Sequence, residues 1–178
     1  MPKKLSTQQI LEENLSQEAP PKMRTIKVVL HNIRSLHNVG SLFRSCDAFG
    51  VSELMLSGYT PHPPRPEISK TAIGAEEFVP WSVWGSFEEL TDSLKKDGYV
   101  IIGLEQMDES ISLPEFSPDN HDKLCLVMGN EVTGIDDDAI PFIDQFVSIP
   151  QFGKKHSLNV SVAGGVLLYS FLEKLWGN

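Results

Sequence analysis

Three segments of the chain combine polar side chains with glycines at spacings that suit an anionic ligand. The first, residues 31–44, reads HNIRSLHNVGSLFR. From Val39 onward its apolar residues repeat at intervals of three and four, as on one buried helix face, and Arg44 lies off that stripe. A guanidinium in that position can hold a phosphate through two parallel hydrogen bonds. Taken alone, however, the segment fits an exposed arginine in a surface salt bridge better.

The second segment, residues 124–135, reads LCLVMGNEVTGI. Its apolar run predicts a buried strand that leads directly into Gly129 and Glu131. Such a strand places a carboxylate at the carboxyl end of a sheet, where the sites of α/β proteins collect. A simple turn with a solvated glutamate explains this segment equally well.

The third segment, residues 149–163, reads IPQFGKKHSLNVSVA. Either Ser157 or Asn159 suits the N-cap of a final helix, because both side chains accept hydrogen bonds from backbone N–H groups. An N-cap does not, however, require the Pro150 and Gly153 that precede it. The segment therefore predicts a loop with more than a capping role.

These segments fall at the junctions of alternating strands and helices. Asn38 stands at the N-cap position of the second predicted helix, and Gly50 at its C-cap. The alternation predicts an α/β domain with a mainly parallel sheet. The final helix is small or apolar almost all round in its first half, which predicts burial in the domain or in a subunit interface. The predicted strands are 26–30, 53–56, 79–83, 99–103, 123–128 and 146–149, and the predicted helices are 7–15, 39–49, 87–96 and 160–176, with a short one within 68–78.

The distribution of charge matters more than its sum. A net charge of −9 argues against a nucleic-acid partner, since phosphate binding usually draws on clustered lysine and arginine. Residues 19–46 and 145–172, however, contain no Asp or Glu, and Lys154 and Lys155 stand together in the second of these segments. Two acid-free segments can form one local positive surface, although charge blocks are more often solvated faces.

Several function classes find no support in the sequence. No apolar run approaches the length of a bilayer span, and the first residues lack an apolar signal-peptide core. Cys125 is flanked by apolar residues and Cys46 lies on the apolar stripe of the predicted helix, so we expect core thiols in a reduced cytoplasm. No GxGxxG, P-loop, HExxH, Cys/His cluster or GxSxG element occurs. We therefore expect no metal site, and any nucleotide-like cofactor must be held without a glycine-rich turn.

Together, and in this order, the three segments resemble the motifs of the SpoU (TrmH) branch of the SPOUT superfamily of RNA methyltransferases. The first matches the family's Asn-x-Gly/Ser-xxx-Arg element, the second its Gly-x-Glu element, and the third its Ile-Pro-xx-Gly…Ser-Leu-Asn-Val-Ser element. ISKTAIGAE and YVIIGLEQ add to the likeness, which extends from Arg24 to the C-terminus. Gln151 departs from the methionine that is common in bacterial members, and is more like a branch with eukaryotic tRNA ribose methyltransferase domains.

The resemblance implies a fold and a cofactor. It implies one α/β domain over residues 24–178, with a trefoil knot at its C-terminal end, preceded by a polar arm over residues 1–23. It implies S-adenosylmethionine (SAM) held largely by the backbone of three loops. It also implies a homodimer through the C-terminal helix. The residues that would hold the cofactor are Leu104, Gly129, Ile149 and Leu158.

The resemblance further implies transfer of a methyl group to a ribose 2′-hydroxyl of RNA. Arg44 would bind the adjacent phosphate and stabilise developing alkoxide charge, because a guanidinium is a poor base. Asn38, Glu131, Ser157 and Asn159 would orient it, the ribose and the loop. We expect tRNA as substrate, with a D-loop guanosine as target, and ribosomal RNA as the alternative. A catalytically silent RNA-binding protein of the same fold, a base N-methylating relative and, more distantly, a NAD-dependent enzyme are competing interpretations.

Overall fold

A computed structural model describes residues 2–176 of the chain, so residues 177 and 178 of the predicted domain and residue 1 of the predicted arm lie outside it. Within this range, strands and helices alternate over most of the chain. The strands are β1 (Lys27–His31), β2 (Glu53–Ser57), β3 (Trp81–Trp84), β4 (Val100–Leu104), β5 (Ile111–Ser112), β6 (Leu124–Met128) and β7 (Gln145–Ser148). The helices are α1 (Thr7–Ser16), α2 (Leu36–Phe49), α3 (Pro66–Ala72), α4 (Phe87–Lys96) and α5 (Val160–Leu175).

The strands form one sheet in the order β3-β2-β1-β6-β4-β7-β5, with parallel pairing throughout. The predicted α/β domain with a mainly parallel sheet is confirmed. β6 enters between β1 and β4, so the loops after these three central strands meet at one edge. That edge is where a parallel sheet places its ligands. The two-residue β5 was not predicted, because so short a strand has no periodicity to read.

Both faces of the sheet are buried, as parallel sheets require. Side chains alternate along each strand, so Val28 and Leu30 face one layer and Val29 the other. The first layer is formed by α2, α3 and α5, and the second by α4 with residues 135–143. Cys46 and Cys125 are buried free thiols, as predicted.

The start of α2 differs from its prediction. Ser35, rather than Asn38, is the N-cap, and its Oγ accepts a hydrogen bond from the Asn38 backbone N–H at 3.3 Å. The helix therefore begins three residues earlier, and Asn38 lies in its first turn. The prediction of an Asn38 cap was wrong because Ser35 has the same capping chemistry one turn upstream. Gly50 is the C-cap with a φ of 69°, as predicted.

Helix α5 packs against α2. Gly164 makes this possible, because a Cβ there would lie 2.5 Å from Leu42 Cδ2 and 2.8 Å from Met128 Sδ. Asn159 is the N-cap, which settles the predicted choice between Ser157 and Asn159. One face of α5 is buried in the domain, and the other leaves Val162, Val166 and Tyr169 exposed.

The N-terminal region has two distinct parts. Helix α1 has a capping box between Ser6 and Gln9, and none of its residues is buried. Met23, by contrast, is fully buried in the core. None of the helices in residues 2–176 is long and apolar enough to cross a membrane. The threading of the C-terminal segment into a knot stays a prediction.

Candidate active site

A cleft of about 490 Å³ opens at the carboxyl ends of β4, β6 and β7. Its size is in the range of sites that hold small molecules and cofactors. Six of the residues singled out in the sequence line it, and Asn38, Arg44 and Asn159 do not. The lining includes Leu104, Gly129, Glu131, Ile149, Ser157 and Leu158, together with Gln151, where the sequence departs from the family pattern.

Gly129 is required by the close approach of two backbone segments. A Cβ at this position would lie 2.4 Å from the carbonyl group of Gly134 and from the Ile135 nitrogen. Backbone hydrogen bonds between Asn130 and Gly134, at 2.8 and 2.9 Å, close this tight loop. Gly129 therefore lets the two backbone segments of this loop pack closely, and its own backbone lines the cleft.

Glu105, which the sequence did not single out, fixes the opposite side of that loop. Its Oε2 accepts a hydrogen bond from the Ile135 backbone N–H at 3.0 Å, and its Oε1 accepts one from Gln106 at 2.9 Å. The Gln106 side chain then donates to the carbonyl of His156 at 2.9 Å. The loop after β4 thus holds the two other loops of the cleft in place.

Glu131 joins the loop after β6 to the start of α2. Its Oε2 accepts a hydrogen bond from the Arg34 backbone N–H, and its Oε1 accepts from the Ser35 backbone N–H, both at 3.0 Å. Oε1 also accepts from the Asn38 side-chain amide at 2.9 Å. Burial alone would raise the pKa of Glu131, but hydrogen bonds from Arg34, Asn38 and Ser35 outweigh it and lower the pKa below its ordinary value of 4.5. Glu131 is therefore an ionised anchor.

Asn38 extends this connection to the third segment. Its Oδ1 accepts a hydrogen bond from the Asn159 side-chain amide at 3.2 Å. The Asn159 Oδ1 in turn accepts from the Ser161 backbone N–H at 2.9 Å and from the Ser161 hydroxyl at 2.6 Å. Glu131, Asn38 and Asn159 therefore form one chain of hydrogen bonds beside the cleft, and all three sequence segments take part in it.

Arg44 lies apart from this network. It lines a separate recess of about 480 Å³ with Lys70 and Phe49. Arg44 follows Asn38 by six residues, which on an α-helix is a rotation of roughly 240° beyond one full turn. The Arg44 side chain therefore points away from the side of α2 that carries Asn38. In the described part of the chain its side chain forms no hydrogen bond or ion pair, so the surface salt bridge considered from the sequence is not formed.

Ser157 lies in the exposed loop between β7 and α5. Within residues 2–176 its side chain has no hydrogen-bond partner, which leaves the hydroxyl free for a ligand in the cleft. Lys154 and Lys155 of the same loop are also exposed. The two acid-free segments of the sequence do meet, because α5 packs on α2 and Asn159 bonds to Asn38.

Sequence reasoning missed the residues that support the loop after β1. Asn32 has a φ of 55°, and its side chain accepts from the Tyr59 backbone N–H at 3.2 Å. Asn130 donates to the Asn32 carbonyl at 2.8 Å. Thr60 bridges Leu30 and Ile33 through its hydroxyl. Asn130 could have been found from the sequence, since it lies between Gly129 and Glu131. Asn32 and Thr60 could not, because contacts across a loop leave no pattern in the sequence.

Over residues 2–176, no group of three or more His, Cys, Asp or Glu side chains is placed to hold a metal ion. Fold and cleft together define a parallel α/β protein with a nucleotide-sized site built from three loops at one sheet edge. The model of the SpoU rRNA methylase family matches residues 25–169. The chain belongs to this family.

Two relatives illustrate the range of the family. The chain is 34% identical over 160 residues to the 23S rRNA (guanosine-2′-O-)-methyltransferase RlmB of Neisseria meningitidis, covering 88% of this chain and 59% of the relative. It is 30% identical over 144 residues to the tRNA (guanosine(18)-2′-O)-methyltransferase of Escherichia coli, covering 81% and 61%. The chain thus spans about three fifths of the length of these relatives.

Among solved structures, the TrmH/SpoU tRNA modifying enzyme of A. aeolicus superposes with a TM-score of 0.75 at 26% identity, covering 86% of this chain and 76% of that one. The SpoU methyltransferase AviRb of Streptomyces viridochromogenes, in complex with AdoMet, gives a TM-score of 0.77 at 24% identity, with 88% and 62% covered. The second likeness is one of fold.

Proposed function

We propose that the chain is a SAM-dependent RNA methyltransferase that methylates a ribose 2′-hydroxyl, and that tRNA is the first candidate for its substrate. One observation carries the proposal: the hydrogen-bonded chain of Glu131, Asn38 and Asn159 beside the cleft. It uses a residue from each of the three segments, and a plain α/β scaffold does not require it.

The cleft fits the cofactor in size and in chemistry. Its walls at Leu104, Ile149 and Leu158 are apolar, and at Gly129 the backbone is bare. The turn after β1, residues 32–35, contains no glycine, so it does not suit the Rossmann mode of cofactor binding. Three loops that present backbone groups can hold an adenosine instead. When bound, SAM supplies an electrophilic methyl group on a sulfonium. Leu104, Gly129, Ile149 and Leu158 are the residues to which we assign its binding.

The protein side chains then position the ribose and its phosphate. Glu131 is already occupied by three donors, so its role is to hold the loop and Asn38 rather than to take a proton. Ser157 and Asn159 orient the loop that faces the ribose. Arg44 stays protonated, binds the phosphate beside the target and stabilises the charge that develops on the 2′-oxygen. Phosphate or water accepts the proton.

The position of Arg44 suggests that a second copy of the chain completes the site. On α5 the exposed Val162, Val166 and Tyr169 form an apolar strip, and Tyr169 packs edge-on against Phe49 of α2, next to the recess of Arg44. Apolar strips of this kind are typical of subunit interfaces. We assign this strip to a homodimer in which Arg44 acts at the cleft of the second copy.

Mixed dimers of two variant chains test this assignment directly. Arg44→Ala should retain SAM binding and lose methyl transfer, and Arg44→Lys should recover little, since an ammonium lacks the planar fork. Coexpressed with a chain that carries Asn38→Ala, the Arg44→Ala chain should regain activity, because one cleft of the mixed dimer then has both residues intact. Full activity of Arg44→Ala alone, or no recovery in mixed dimers, contradicts the assignment.

The relatives leave two RNA substrates in consideration. The E. coli relative is named for guanosine 18 of tRNA, which corresponds to the D-loop guanosine expected from the sequence. The Neisseria relative is slightly more similar and is named for 23S rRNA, so ribosomal RNA is the second candidate substrate. Both substrates, and the two buried free thiols, suit the cytoplasm.

Methyl incorporation from labelled SAM into separated tRNA and rRNA of a strain lacking the gene tests the function. We expect label in one tRNA and a single site resistant to alkaline cleavage, because a 2′-O-methyl group blocks attack by that oxygen. Label in 23S rRNA would establish the second candidate. An alkali-sensitive label would indicate base methylation and contradict the proposal. SAM binding without any transfer would favour a catalytically silent RNA-binding protein.

A further inference from the structure

A second recess, of about 670 Å³, adjoins the cleft on the side of β1. Asn130, Val132 and Thr133 line both, so one short stretch of backbone separates them. The remaining wall comes from the segments after β1 and β2, through Arg34, Leu36, Tyr59, Pro61 and Arg65, and from Asp136 in the segment after β6. The recess thus lies beside the place where the cofactor's reactive end must meet its substrate.

Tyr59 is an exposed aromatic ring that is fixed at both ends. Its relative exposure is 60%. Its backbone N–H donates to Asn32 Oδ1 at 3.2 Å, and its hydroxyl accepts from the Asn130 side-chain amide at 2.9 Å. Asn32 is itself held, because its amide donates to Asp136. An exposed ring with both ends bonded keeps one orientation, so a ligand that stacks on it does so without ordering the side chain first.

Arg34 and Arg65 bring positive charge to the recess. In the part of the chain that the structure describes, neither guanidinium has a hydrogen bond or an ion pair. Asp136, the acidic residue of the lining, is engaged with Asn32 and with the Thr133 hydroxyl. Two guanidiniums without an ion-pair partner among the described residues, around a fixed aromatic ring, match a nucleotide, whose base stacks and whose phosphates carry the charge.

We propose that this recess binds an unpaired nucleotide of the RNA substrate at the methylation site, with its base on Tyr59 and nearby phosphates of the strand, other than the one assigned to Arg44, on Arg34 and Arg65. The proposal rests on the proposed function. The backbone N–H of Arg34 bonds to Glu131, so the recess and the hydrogen-bonded chain beside the cleft share one rigid support. Stacking on a ring requires a base free of its helix. The target is therefore an unstacked nucleotide, as found in a loop, a bulge or a strand end.

Direct RNA binding tests this inference without relying on catalysis. The probe is an unmodified, fluorescein-labelled tRNA transcript, and its anisotropy is measured with the full chain over a series of salt concentrations. Tyr59→Ala should weaken binding by roughly fivefold to a hundredfold, the range for one base stacked on an aromatic ring. Tyr59→Phe keeps the ring and should bind nearly as the unaltered chain does.

The arginines have a separate signature. Each of Arg34→Ala and Arg65→Ala should make the slope of log K against log salt shallower by about 0.7–0.9, as expected for the loss of one phosphate contact. Matched controls lie at the other edge of the sheet, where Lys96→Ala removes an exposed charge from the end of α4 and Phe78→Ala an exposed ring before β3. Both controls should leave affinity and slope unchanged.

The outcomes separate this inference from the proposed function. Unchanged affinity and slope in all three recess variants, equal losses in the controls, or no tRNA binding by the unaltered chain would overturn the inference. SAM affinity is measured in parallel by calorimetry and should be the same in every variant. If SAM binds and RNA is methylated while the recess variants bind tRNA normally, only the inference fails. If SAM does not bind, the proposed function fails, whatever the tRNA result.

Discussion

The side-chain amide of Asn159 donates a hydrogen bond to Asn38 Oδ1 at 3.2 Å, across 121 positions of the sequence. Through Asn38 the contact reaches Glu131, and through Asn159 it reaches the first turn of α5. The start of α2, the loop after β6 and the loop before α5 are thereby held in one arrangement. This arrangement is what positioning catalysis requires, since the reacting groups must be held close to their final geometry.

Replacing Asn38 should uncouple these three segments. Asn38→Ala removes one donor from Glu131 and the acceptor of Asn159, while the cofactor lining is untouched. We expect methyl transfer to fall on the order of a hundredfold, with little change in SAM affinity, since positioning is lost and binding is not. Labelled-methyl assays and calorimetry measure the two effects. Asn14→Ala in the exposed α1 is the control, and equal effects of both variants would refute the role of Asn38.

A methyl group at Gly129 should be costly. Gly129→Ala places a Cβ 2.4 Å from the backbone of Gly134 and Ile135, which cannot move aside as a flexible side chain can. We expect a loss of about 1–3 kcal/mol in the free energy of unfolding, as for overpacked sites, and weaker SAM binding. Urea unfolding measures the change in the free energy of unfolding. Gly85→Ala, with nothing within 4 Å of the new carbon, should be nearly neutral. Similar stabilities for the two variants would count against this account.

Glu131 should make stability depend on pH in the acid range. Burial opposes ionisation of Glu131, but its hydrogen bonds prevail and lower the pKa below the ordinary 4.5. Its stabilising contribution is therefore complete above pH 4.5 and is lost as the pH falls from there through the lowered pKa. The difference in unfolding free energy between the unaltered chain and Glu131→Gln should be constant near neutral pH and shrink below pH 4.5. A difference that is the same at pH 4 and pH 7 would contradict this.

The exposed strip of α5 should govern assembly. Tyr169→Glu places a charge among Val162, Val166 and Phe49, and an unpaired charge is disfavoured in an apolar interface. We expect monomers in analytical ultracentrifugation and, because Arg44 would no longer reach a second cleft, loss of methyl transfer. Asp92→Lys, a charge change on α4 in the opposite layer, is the control. A Tyr169→Glu chain that sediments as the unaltered protein does would remove this interface from consideration.

Much of the fold could be predicted because its signals are local. Periodicity gave α4 with both bounds correct and most other elements to within one or two residues. The start of α2 could not be predicted in this way, because Ser35 and Asn38 are both good caps. The choice between them depends on Glu131, which bonds to the N–H groups of Arg34 and Ser35 from across the sheet edge. Such contacts leave no trace in a local pattern.

The site shows the same division. The family resemblance assigned Leu104, Gly129, Ile149 and Leu158 to the cofactor. The structure brings them to one cleft, and their role in binding stays a prediction. Tyr59 was not predicted, because its place depends on Asn32 and Asn130, whose side chains meet only when the loops after β1, β2 and β6 come together. The prolines that follow Tyr59 predict a stiff surface loop, but they do not predict where that loop lies relative to the cleft.

The most direct test of the central claim is a calorimetric titration of SAM into the unaltered chain and into Ala163→Leu. Ala163 lines the cleft from α5, and leucine suits a helix, so this variant fills the cleft without opposing the fold. We predict one SAM bound per chain, competition by S-adenosylhomocysteine but not by NAD, and loss of binding in Ala163→Leu. No binding of SAM to the unaltered chain, or equal affinity in the two proteins, would show that this cleft is not the cofactor site.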